Sequence, residues 1–75
     1  MEHPTFDYSK LKGRITEKCG TQKNFVNLMG TSPTTLVSKL ACRSYFNQKE
    51  IIKAALVLDI EPVDVPVYFF TIKVQ

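Results

Sequence analysis

Thr-Gln-Lys-Asn-Phe-Val-Asn-Leu-Met-Gly-Thr-Ser-Pro-Thr-Thr-Leu-Val-Ser-Lys-Leu (21–40) is the stretch that decides how this chain folds. Thr21 is suited to cap a helix over Gln22 to Met29, whose apolar Phe25, Val26, Leu28 and Met29 are expected to pack inward before Gly30 ends it. Ser32-Pro33 is a second and stronger start signal: the serine oxygen accepts an orphan backbone N–H, and proline at the first helical position has its φ already set. A helix is therefore predicted from Pro33 to about Leu40, with Leu36 and Leu40 on one face and Thr34, Thr35, Val37, Ser38 and Lys39 on the others. Only Thr31 intervenes between Gly30 and Ser32, so the two helices must cross steeply, which is the spacing of a helix-turn-helix at about 22–40. Lys23 stands where the helix dipole favours an acid, a choice that makes sense if an external anion sits there.

Working outward, Asp7 is expected to cap a first helix. Its Tyr8, Leu11, Ile15 and Cys19 recur at spacings of three and four, and Gly20 stops it. Cys42 to Phe46 has no helical period and reads as a loop. Asn47 then caps a fourth helix, Gln48 to Leu58, whose apolar end from Ala54 onward is predicted to form the centre of the core. Pro62 and Pro66 allow at most a short turn of helix. The tail from Val67 is aromatic and β-branched and alternates from Phe70, so a packed arm or a strand over about 67–75 is expected. The whole, residues 1–75, reads as a single all-α domain with no internal repeat or low-complexity tract.

The chain has 75 residues, of which 44% are apolar, a size that buries one compact core and excludes a two-domain enzyme. Its net charge of +3 is unevenly spread. Residues 8–53 hold nine Lys or Arg against two acids, Glu17 and Glu50, a net +7, while residues 1–7 and 54–75 each carry −2. A basic body of this kind suits a polyanion. With two cysteines, Cys19 and Cys42, and an N-terminus unlike a signal peptide, a reduced cytoplasmic protein is expected. The longest apolar runs are far short of the roughly twenty residues of a membrane span.

Catalytic chemistry finds no foothold. His3 is the single histidine, no acid stands at a recognisable spacing from a Ser or Cys nucleophile, and a zinc ion would lack two of four ligands. The three glycines, Gly13, Gly20 and Gly30, are isolated and form no phosphate loop. Neither a cofactor nor a small-molecule substrate is expected. What remains is the helix-turn-helix, whose second helix is about the width that the major groove of B-DNA accepts.

Lys-Leu-Lys-Gly-Arg-Ile-Thr-Glu-Lys-Cys-Gly-Thr-Gln-Lys-Asn-Phe (10–25), Thr-Thr-Leu-Val-Ser-Lys-Leu (34–40), Gln-Lys-Glu-Ile (48–51) and Tyr-Phe-Phe-Thr-Ile-Lys-Val-Gln (68–75) together resemble the small Cro-like helix-turn-helix repressors of temperate bacteriophages and prophages of Gram-positive hosts. The resemblance implies a five-helix, lambda-repressor-like domain that binds double-stranded operator DNA in a lysis–lysogeny switch, as a homodimer. The main reading is thus a sequence-specific DNA-binding repressor with helix 33–40 in the major groove, and the alternative is an antirepressor or modulator that binds the main phage repressor protein. Carried over residue by residue, it places Gln22 at a phosphate at the start of the first motif helix. Pro33, Thr34 and Ser38 match base-facing positions, with Ser32 and Thr35 beside them and Lys39 as a phosphate contact. Lys23, Arg43, Asn47, Gln48 and Lys49 are further candidates for phosphate contact. Two departures stand out. Pro33 offers only van der Waals contact where a polar side chain is usual, and Ala41-Cys42 replaces the customary Asn-Gly or Asn-Asn pair. Short hydroxyls discriminate bases less well than bidentate Arg or Gln, so DNA shape is expected to share the readout. Tyr68, Phe69, Phe70 and Ile72 form a candidate dimer or partner surface, although Tyr68, Phe69 and Phe70 are expected to pack against the first and fourth helices of their own chain rather than to serve that surface alone, and Phe46 is expected to plug the core.

Overall fold

The computed structural model describes residues 5–73; His3 and the last two residues of the expected arm lie outside the described residues. Five α-helices follow one another: α1 Ser9–Cys19, α2 Gln22–Met29, α3 Pro33–Leu40, α4 Gln48–Val57 and α5 Val65–Phe69, with a 3-10 turn over Pro62–Asp64 before the last. The fold is all-α, as the local signals predict.

The helix starts obey the capping chemistry. Thr21 accepts from Asn24 N at 3.1 Å, and Ser32 accepts from Thr35 N at 3.2 Å. Asn47 builds a complete capping box: its side chain accepts from Glu50 N at 2.8 Å, while Glu50 accepts from Asn47 N at 2.9 Å. At α1 the expectation needs correction. Tyr8 occupies the cap position, and Asp7, one residue earlier, accepts from Ser9 N at 2.9 Å and from the Ser9 hydroxyl at 2.6 Å. These bonds hold the Asp7 carboxyl below its usual range.

The helix ends share one device. After α2, α3 and α4 a residue enters the left-handed region, and its own N–H and that of the residue after it turn back onto carbonyls near the helix end. At α2 that residue is Gly30, φ +70°, with Thr31 N donating to Val26 O at 3.2 Å. At α3 it is Cys42, φ +63°, with Arg43 N donating to Ser38 O at 2.9 Å. At α4 it is Asp59, φ +55°, with Ile60 N donating to Ala55 O at 2.8 Å. Cys42 thus makes the turn at the place where the resemblance leads one to expect an Asn-Gly or Asn-Asn pair.

Tyr8, Leu11, Ile15, Phe25, Val26, Leu36, Ala54, Leu58, Ile60 and Phe69 form the buried core. Two predictions of inward packing fail. Leu28 is exposed, because only Phe25 and Val26 of α2 face the core and Met29 is half-buried. In the apolar end of α4, Ala54 and Leu58 are buried but Leu56 is exposed. The segments packed against α4 cover only one side of it, the side that holds Ala54 and Leu58.

The tail is also corrected. Residues through Phe69 are helical, since Pro66 sits in the first turn of α5, where its missing N–H costs nothing. Only residues 71–73 are extended. They run antiparallel to residues 5–7, with Asp7 N donating to Thr71 O and Lys73 N to Thr5 O, both at 2.8 Å, around one bridge between Phe6 and Ile72.

Candidate nucleic-acid and partner interfaces

The exposed side chains of the helix-turn-helix come from its caps and its polar face. Ser32, Pro33 and Thr34 are exposed at the start of α3, and Ser38 is half-buried one turn on. Ser32 and Thr35 are engaged with one another, their hydroxyls 2.8 Å apart, and Thr35 is half-buried. Val37 is exposed on the same helix. The outer surface of α3 therefore offers short hydroxyls, a proline and a valine, with no long bidentate donor among them.

Gln22 and Lys23 are exposed in the first turn of α2. Gln22 shares a shallow depression of about 220 Å³ with Lys12, Val37, Leu40 and Ala41. Tertiary packing thus brings Lys12 of α1 beside the start of α2 and the end of α3. Sequence spacing could not show this, because Lys12 merely follows the buried Leu11 on a polar flank. Arg43, Asn47, Gln48 and Lys49 are exposed around the loop and the start of α4.

Lys39 stands apart from the other candidate phosphate ligands. Its ammonium is paired with the Glu50 carboxylate and lies 5.6 Å from the centre of the Phe46 ring, and its side chain is only 12% exposed. It fastens α3 to α4, so the expectation of a free phosphate contact is corrected by the structure. Burial pushes the Glu50 carboxyl up, but the hydrogen bonds from Lys39 and Asn47 and the Lys39 charge outweigh it, and the group lies below its usual range.

A second surface is aromatic. Phe70 lies edge-on to Phe6, 6.3 Å between ring centres, and Phe6 meets Tyr45 edge-on at 5.9 Å. The series continues inward through Tyr8, Phe46 and Phe69, with Tyr8–Phe46 at 5.7 Å and Phe46–Phe69 at 5.4 Å. Burial pushes the Tyr8 phenol up to about 12, with smaller contributions from Cys42 and Tyr45. Of the four residues proposed from sequence for a partner surface, Phe70 is 51% and Ile72 64% exposed, whereas Phe69 is 2% exposed and belongs to the core. Tyr68 is half-buried. Phe6, which the sequence did not single out, joins them because residues 5–7 pair with the tail. The Cys42 thiol holds the same segment, accepting from Phe6 N at 3.4 Å and donating to Phe6 O at 3.6 Å. Cys19 and Cys42 are both free thiols. No helix among the described residues is long and apolar enough to cross a membrane, and those residues contain no cluster of metal-ligating side chains.

Five short helices, of which capped α2 and α3 form a helix-turn-helix, define a small Cro-like helix-turn-helix protein. The chain belongs to the family described as a protein of unknown function (DUF739), whose profile matches residues 4–72. It is similar to the modulator of repression (MOR) of the temperate bacteriophage TP901-1 from Lactococcus lactis, known from a solution structure. The two are 50% identical, the match covers 93% of this chain and 95% of the other, and the TM-score is 0.79. No curated protein matches the chain.

Proposed function

We propose that this protein is a regulator of a phage lysis–lysogeny switch that acts by binding the main repressor of its phage. The observation that carries the reading is the 50% identity, over nearly the whole of both chains, to a protein whose own description is modulator of repression. Two structural features agree with it. The outer face of α3 has no long side chain able to read a base bidentately, so the domain alone is poorly equipped to select an operator. The exposed Phe70 and Ile72, backed by Phe6, supply the apolar and aromatic surface on which protein partners usually anchor.

A second reading, direct binding to operator DNA, rests on the helix-turn-helix and on the net +7 of residues 8–53. Nonspecific phosphate attraction follows from that charge whatever the partner, and it weakens as salt rises. One titration separates the two readings. The purified protein is added to the phage's repressor bound to its operator, and separately to the operator alone. Under the proposal the repressor–operator complex is altered at stoichiometric protein, operator alone is bound only weakly and without preference over unrelated DNA, and Phe70→Ala weakens repressor binding by about tenfold. Tight, selective binding to the operator alone, with no effect of the protein on the repressor, would establish the second reading instead.

A further inference from the structure

The short ribbon made by residues 5–7 and 71–73 has two unlike edges. In an antiparallel pair, facing residues either exchange both backbone bonds or turn their polar groups outward. Phe6 and Ile72 are of the second kind, because the bonds beside them run from Asp7 N to Thr71 O and from Lys73 N to Thr5 O. The outward groups of Phe6 are both taken by the Cys42 thiol, which accepts from Phe6 N and donates to Phe6 O. Those of Ile72 have no partner among the described residues, and Phe70, Thr71, Ile72 and Lys73 are all exposed. The ribbon is closed on the Phe6 side and open on the Ile72 side.

An N–H and a C=O aimed outward from one exposed residue match extended polypeptide. A helix has spent both groups on itself, and a DNA backbone brings acceptors only. The side chains at the edge narrow the choice further. On one face Ile72 stands opposite Phe6, and Phe70 meets the same ring edge-on, which makes an apolar platform. The other face carries Lys73, which with Lys12 lines a cavity of about 300 Å³. Asp7, the one acid in that lining, is engaged by the N–H and hydroxyl of Ser9, and neither lysine is in an ion pair among the described residues. A strand laid beside Ile72 therefore meets apolar surface with alternate side chains and cationic surface with the others. A second copy laid edge to edge would gather two Lys73 side chains on one face, whereas an acidic segment neutralises the one already there.

We propose that the Ile72 edge takes an extended segment of the phage repressor as an added strand, one whose side chains alternate between apolar and acidic. This mode of docking rests on the repressor reading above and gives each group a task. The Ile72 N–H and C=O hold the segment's backbone, Phe70 and Ile72 take its apolar side chains, and Lys73 takes its acids.

Amide hydrogen exchange of the full chain, alone and with the intact repressor, reads the backbone directly. The Ile72 N–H should exchange freely in the protein alone and slow by at least about a hundredfold at saturating repressor. Ile72→Pro removes that N–H but leaves both bonds to residues 5–7 in place, and proline is tolerated where a strand's N–H faces solvent. Ile72→Ala removes only the side chain. With circular dichroism unchanged in both, Ile72→Pro should weaken repressor binding about tenfold beyond Ile72→Ala, and Lys73→Glu should weaken it about fivefold. Repressor binding with no change in Ile72 exchange, or equal losses in Ile72→Pro and Ile72→Ala, would overturn the added strand and leave the repressor reading standing. Absence of any repressor binding would overturn both. Slowing of Ile72 exchange with rising concentration of the protein alone would give the edge to a second copy and overturn the proposal as well.

Discussion

The Lys39 ammonium and the Glu50 carboxylate pair across the junction of α3 and α4, and the same carboxylate closes the capping box at Asn47. One side chain thereby fixes both where α4 begins and how α3 leans on it. Glu50→Ala removes the ion pair and half of the box together and is expected to cost about 2 kcal/mol in urea denaturation, whereas Glu50→Gln, which can still accept from Asn47 N, should cost about half as much.

The pH dependence has a definite sign. The folded-state pKa of Glu50 is lowered, so the group contributes stability above its unfolded value near 4.3, and that contribution is lost as pH falls through the folded value. Asp7 acts in the same direction. The urea midpoint should therefore fall as pH is lowered through the carboxylate range, and less steeply in Glu50→Gln; an equal slope in the variant would remove Glu50 from the acid response.

Tyr8 produces the opposite limb. Its phenol ionises at about 10 in the unfolded chain and about 12 in the folded one, so stability is full below pH 10 and is lost as pH rises toward 12. The loss amounts to at most about 3 kcal/mol. Thermal melts of wild type and Tyr8→Phe should converge in this window, and a Tyr8→Phe variant that loses stability there as fast as wild type would contradict the assignment.

Arg14 satisfies the end of α4 from outside it. Its guanidinium donates to Leu58 O at 2.9 Å through Nε and to Asp59 O at 2.8 Å through a terminal nitrogen, while the other terminal nitrogen holds Glu17 at 2.7 Å. A lysine ammonium cannot match that fork. Arg14→Lys should destabilise by about 1–2 kcal/mol, most of it unrelieved by salt because both acceptors are neutral carbonyls.

The left-handed positions make a matched pair of tests. Gly30→Ala should cost about 1 kcal/mol through its φ of +70°, since the nearest atom to an added Cβ is the flexible Lys53 amine at 3.8 Å. Asp59→Gly, at φ +55°, should stabilise by roughly 0.5 kcal/mol because Asp59 pays for a conformation glycine adopts freely. Chemical denaturation of both variants checks the signs.

For any DNA affinity the domain has, Lys23→Ala should weaken binding to all sequences alike and reduce the salt slope by about one, while Thr34→Ala with Ser38→Ala should alter preference without changing the slope. Identical effects from the two would contradict the separate roles.

Local chemistry made much of this protein readable in one dimension. Thr21, Ser32-Pro33 and Asn47 start helices because a side-chain oxygen reaches an N–H only two or three residues ahead, and spacings of three and four marked Leu11, Ile15, Phe25 and Leu36 for burial. Folding decided what depends on residues distant in the chain. Which apolar side of α2 and α4 is covered could not be read, so Leu28 and Leu56 lie outside, because the period marks an apolar stripe but not what packs on it. Lys39 reads as a free cation until Glu50, eleven residues on, is brought to it. Phe6 becomes part of the aromatic surface only through its bridge to Ile72, and Phe69 leaves it only because α5 turns that ring inward. Cys42 and Asp59 enter left-handed turns that their residue types do not advertise, held there by the carbonyls of helices whose ends tertiary packing sets.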